Sequence, residues 1–132
     1  MNKKIILLAV IAMLTGCSVA PSRNEIASKD FGPRPTDEAS QKAVVSYMYD
    51  RLIDPNSGMY KCGSPKKGGG FTCTPGSCGT RYGYILGCRV NAKNKLGGYT
   101  GWKDHYFMLY EDNGSLKAYD MEIHPNHIRV IE

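Results

Sequence analysis

The chain has 132 residues and a formal net charge of +5. Its first sixteen residues carry Lys3 and Lys4 and no acid, so the remainder sits at about +3 with acids scattered among the bases, too mild a field to give a nucleic-acid footprint. The one basic cluster, Lys66-Lys67 beside Gly68-Gly69-Gly70, reads as a solvated loop tip.

The chain begins with a basic end, an apolar run over residues 5–14, and the small pair Thr15-Gly16 directly before Cys17. That is the three-part layout of an export signal, and an apolar run of about ten residues is too short for a permanent span, which needs about twenty. Residues 1–16 are therefore expected to be removed. The exit sequence Leu14-Thr15-Gly16-Cys17 resembles the lipobox of bacterial lipoproteins. That resemblance implies diacylglycerol on the Cys17 sulfur, cleavage before Cys17, and an acyl chain such as palmitate on the new amino group. Two or more acyl chains hold a protein stably at a bilayer where a single one does so only marginally. Among such lipoproteins a residue other than Asp after the cysteine implies the outer membrane, and Ser18 meets that condition, with the periplasmic face as the expected side.

Residues 17–35 are rich in Ser, Pro and charge and read as a lipidated flexible tether, which leaves 36–132 as a single domain. Pro35-Thr36-Asp37-Glu38 supplies a helix cap and first-turn acids, and Val44, Tyr47, Met48 and Leu52 follow at helical spacing. An amphipathic helix is expected up to Ile53, ended by Asp54-Pro55. Residues 57–62 then read as a first strand. Residues 63–79, dense in Gly, Pro, Ser, Thr and Cys, read as a loop pinned by a disulfide.

With Cys17 assigned to lipid, Cys62, Cys73, Cys78 and Cys88 remain. An even number in an exported domain points to two disulfides, and the spacings lack the Cys-x-x-Cys knuckles of structural zinc. Three pairings are open; the one favoured joins Cys62 to Cys88 across neighbouring strands and lets Cys73-Cys78 close the intervening loop.

Residues 81–91 place Tyr82, Tyr84, Leu86, Cys88 and Val90 on one parity, as a central strand would. Further on, residues 104–111 and 116–123 flank Asp112-Asn113-Gly114-Ser115, and Asn-Gly is what a type I′ hairpin turn requires. The first arm carries Tyr106, Met108 and Tyr110 on one face and Phe107 and Leu109 on the other, one of which must pack on the helix. A short tail strand fits residues 128–131. The fold class expected is α+β: one N-terminal amphipathic helix on an antiparallel sheet of about four strands, braced by disulfides.

Between the central strand and the hairpin runs Val90-Asn91-Ala92-Lys93-Asn94-Lys95-Leu96-Gly97-Gly98-Tyr99-Thr100-Gly101-Trp102. Together with Asp54-Pro55-Asn56-Ser57 upstream, it resembles a group of small lipoproteins and periplasmic proteins of Gram-negative bacteria. The likeness spans roughly residues 44–110, implies location and fold, and assigns no activity. Architecture accounts for the run: Gly97, Gly98 and Gly101 permit unusual backbone angles while Asn91 and Asn94 satisfy loop amides. A binding surface is the competing reading, since Lys93, Asn94, Tyr99, Thr100 and Trp102 offer a cation, an amide, a hydroxyl and two aromatic faces suited to glycan or peptide.

His124-Pro125-Asn126-His127, with His105 and Asp120, forms a candidate metal cluster, but no spacing fixes a third ligand, and neither a metal nor a cofactor is expected. Gly68-Gly69-Gly70 lacks the Lys-Ser or Lys-Thr of a phosphate loop, and no nucleophile–base signature identifies catalytic residues. The function expected is a non-enzymatic binding or structural module, lipid-anchored at the outer membrane, with another envelope protein or peptidoglycan as partner. The alternatives are an accessory lipoprotein of a secretion or conjugation apparatus, and a small envelope enzyme or enzyme inhibitor.

Overall fold

In the computed structural model, residues 20–74, 76–121 and 127–132 are described. Residues 1–16, read above as an export signal, and Cys17 and Ser18 lie outside them.

The segment read as a tether is folded from Pro21 onward. Ser22 Oγ accepts from the Glu25 amide at 3.2 Å while the Glu25 carboxylate accepts from the Ser22 amide at 2.6 Å, a reciprocal capping box that starts helix α1, Arg23–Ala27. Ile26 is wholly buried and α1 lies against the sheet. Gly69 makes room for this: a methyl there would stand 2.8 Å from Pro21 Cγ. Phe31 packs edge-on to Tyr84, whose hydroxyl donates to the Gly32 carbonyl at 3.0 Å. Composition suggested a tether, but a few apolar side chains docked beside the three glycines of β2 are enough to order it.

The amphipathic helix, α2, spans Asp37–Tyr49 and is therefore not the N-terminal element. Thr36 Oγ1 accepts from the Ala39 amide, and Ala43, Val44 and Met48 form its buried face. It ends before Asp54-Pro55 because the Met48 carbonyl takes both the Arg51 and Leu52 amides at 2.9 Å, turning the chain early. A 3-10 turn at Pro55–Ser57 follows.

Among the described residues the sheet has six strands rather than about four: β1 Met59–Cys62, β2 Lys66–Thr74, β3 Ser77–Asn91, β4 Lys103–Asp112, β5 Ser115–Asp120 and β6 Ile128–Val130. Every pairing is antiparallel, in the order β5-β4-β3-β2-β6, with β1 alongside β3. One edge of β3 is shared by two strands: β1 pairs with its C-terminal end and β2 with its N-terminal part. The expected loop at 63–79 is thus mostly a hairpin, since ladder hydrogen bonds come from backbone and glycine supplies them as well as any residue. The Asn113-Gly114 hairpin forms as expected, with φ of 50° and 76°.

One sheet face, Tyr84, Leu86, Cys88, Val90, Phe107, Leu109 and Ala118, packs on α2, so the Phe107/Leu109 side of the hairpin is the buried one. Of these, Leu86, Val90, Phe107 and Leu109 contribute about 1.5–3 kcal/mol each on burial. The opposite face gathers Ile85, Met108 and Met121 with Tyr106, Tyr119 and Ile128. Here the sheet curls on itself: Thr72 Oγ1 of β2 donates to the Met121 carbonyl, beyond the end of β5, at 3.4 Å.

Candidate functional site

Both disulfides join residues directly opposite each other on neighbouring strands: Cys62 with Cys88 between β1 and β3, and Cys73 with Cys78 between β2 and β3. Of the three pairings open to the sequence, this is the one favoured. Among the described residues no helix is long and apolar enough to cross a membrane.

The run between β3 and β4 is a stiff loop. Asn94 Oδ1 accepts from the Leu96 and Gly98 amides at 2.9 and 3.1 Å, the Asn94 amide donates to the Gly98 carbonyl, and Gly97 takes a φ of 81°. A bridge pairs Lys93 with Tyr99, Thr100 donates to the Ala92 carbonyl, and Asn91 Oδ1 accepts from the Gly101 amide. Ser57 Oγ accepts from the Lys93 amide at 2.9 Å, so the Asp54-Pro55-Asn56-Ser57 turn braces the loop base. The polar groups of Asn94 and Thr100 are thus used inside the loop. Lys93 stands 5.5 Å over the Tyr99 ring, while Trp102 faces Lys61 at 4.5 Å and Arg89 at 5.9 Å, with Asp104 3.3 Å from Arg89. Of the five candidate residues, Lys93, Tyr99 and Trp102 thus enter two cation–aromatic rungs on one loop, while Asn94 and Thr100 bond to its backbone.

Of the histidine candidates, His124 lies outside the described residues. His105 Nδ1 is 2.6 Å from Asp120 Oδ2, both largely shielded at 22% and 14% exposure, with the imidazole stacked on Phe107. Among the described residues no group of three or more His, Cys, Asp or Glu side chains is placed to hold a metal.

A concavity lies on another part of the surface. An open cleft of about 820 Å³ is lined by Tyr47, Arg51, Arg81, Tyr82, Tyr110 and Tyr119, with Asp120 of the histidine pair also on its wall. Tyr110 and Tyr119 lie with ring centroids 5.8 Å apart and planes tilted by 58°, and Arg51 stacks 3.6 Å over Tyr47. Burial raises the Tyr119 phenol pKa above its ordinary value, partly countered by the Arg81 charge. Alternation along β4 had separated Tyr110 from the core face. No local signal announced that β2, β3 and the end of α2 would meet it, because those contacts are long-range.

Compared with family models, curated proteins and solved structures, the chain matches none.

Proposed function

We propose that this chain is a lipid-anchored protein of the outer membrane whose disulfide-braced domain is a non-enzymatic binding module for peptidoglycan or an envelope protein. The observation that carries the binding reading is the cleft: tyrosine faces suit sugar rings, and Arg51 and Arg81 suit carboxylates. The leader and Leu14-Thr15-Gly16-Cys17 support the anchor, and two disulfides suit an oxidising compartment. Two experiments test this. Radiolabelled palmitate is expected in the wild-type chain and absent from Cys17→Ser. Sedimentation with purified sacculi is expected to retain the protein, with Tyr110→Ala weakening retention by about 5-fold, the scale of one aromatic contact. A wild-type chain without label sinks the anchor, and retention unchanged by Tyr110→Ala sinks the cleft.

A second reading, a small envelope enzyme, is favoured by one observation: His105 is held by Asp120, and Asp120 reaches the cleft wall. Turnover of a cleft ligand lost in His105→Ala with binding kept would establish it.

A further inference from the structure

Of the seven large apolar side chains exposed among the described residues, four lie toward the end of the sheet where β3 passes to β4. Leu96, at the loop apex, is 95% exposed, and Tyr99, Met59 and Ile53 are exposed as well. Met59 pairs directly with Asn91 at the loop base, and Ile53 precedes the turn that Ser57 fastens to Lys93. The same end carries Lys61, Arg89, Lys93, Lys95 and Lys103 against Asp54 and Asp104, and Asp104 is already paired with Arg89.

These residues are layered along the loop. Leu96 stands at the apex between Asn94 and Gly98, the Lys93–Tyr99 bridge forms the rung below, and Trp102 with Lys61 and Arg89 forms the rung at the strand ends. The order runs from apolar, to amphipathic aromatic beside a cation, to aromatic beneath two cations. A bilayer surface presents its complement in depth: hydrocarbon, then the interfacial zone favoured by Tyr and Trp, then anionic phosphates. A protein partner fits less well, because a stable interface buries about 800 Å² per side and this apex offers one leucine. The loop also needs no ordering on contact, since Asn94, Asn91 and Ser57 already hold it.

We infer that the 93–102 loop is a membrane-contacting tip that dips Leu96 into an anionic phospholipid surface, with Tyr99 and Trp102 at headgroup level and the lysines and Arg89 on phosphates. This inference does not rest on the proposed lipid anchor.

The test uses the chain from residue 17 onward with Cys17→Ser and both disulfides formed, so that no lipid contributes; acylation is read separately by palmitate labelling. Co-sedimentation is measured with vesicles of phosphatidylethanolamine and phosphatidylglycerol, and with vesicles of phosphatidylcholine alone. Trp102, the one tryptophan of the chain, gives an intrinsic fluorescence readout. The result expected is binding to the phosphatidylglycerol vesicles with a blue-shifted emission, weakened by salt. Leu96→Asp is expected to lower partitioning by about 10-fold or more. Its thermal midpoint should match the parent, since the side chain is exposed. Equal binding to both vesicle types, no binding, or unchanged partitioning of Leu96→Asp would overturn the inference. So would an emission shift elicited by envelope protein and by neither vesicle.

Discussion

Removing each disulfide separately tests how the hairpins contribute to stability. Cys62 and Cys88 are 26 residues apart, and closing a loop of that length restricts the unfolded chain by about 3.5 kcal/mol. Cys73 and Cys78 are 5 apart, which gives about 2 kcal/mol. Cys88 also sits in the core against α2 at 3% exposure, so truncation to alanine leaves a small void costing roughly 1 kcal/mol more. The Cys62→Ala/Cys88→Ala chain is therefore expected to lose about twice as much stability as Cys73→Ala/Cys78→Ala. Urea unfolding followed by far-UV circular dichroism gives both values by linear extrapolation. Equal losses, or a larger loss in the Cys73/Cys78 variant, would refute the assignment of Cys62–Cys88 as the main brace.

The Tyr60 hydroxyl is buried without a hydrogen-bond partner, so Tyr60→Phe is expected to stabilise the fold by about 1 kcal/mol, measured by the same unfolding curves. Burial raises the Tyr60 and Tyr119 pKa values. Their folded-state values exceed the unfolded ones, so the stability they contribute is complete below the ordinary phenol pKa and lost as pH rises through the raised values. Absorbance titration should show late-ionising phenols that disappear in Tyr60→Phe and Tyr119→Phe. At Gly70 an added methyl would meet Met121 Cε at 2.8 Å and the His127 carbonyl at 3.1 Å. Gly70→Ala is expected to cost about 1–3 kcal/mol and to speed amide exchange in β6; an unchanged midpoint would refute close packing there.

Several elements were legible because their signals are local. Thr36 with its following acids started α2, Asn113-Gly114 set the hairpin, and alternate residues of β3 and β4 sorted themselves between two faces. The sequence left three disulfide pairings open, and the favoured one is the pairing that strand register brings together. Residues 63–79 and 21–35 were misread for one shared reason. Composition registers what a segment can bury through its own side chains, and Gly68-Gly69-Gly70 and Pro21 instead let neighbours approach.

The candidate site divides along the same line. Asn91, Asn94 and the loop glycines could be read as architecture because they act within the one loop, Asn94 over at most four residues and Asn91 across the ten to Gly101. The cleft and the His105–Asp120 pair join groups from different strands and from the end of α2, brought together by the register of β4 with β5 and the curl of the sheet. Amino-acid order alone determined where the chain turns, caps and alternates, since those preferences reside in individual backbones. Which faces meet, and therefore which tyrosines and arginines share a cavity, was decided only by long-range strand pairing and the packing of α2.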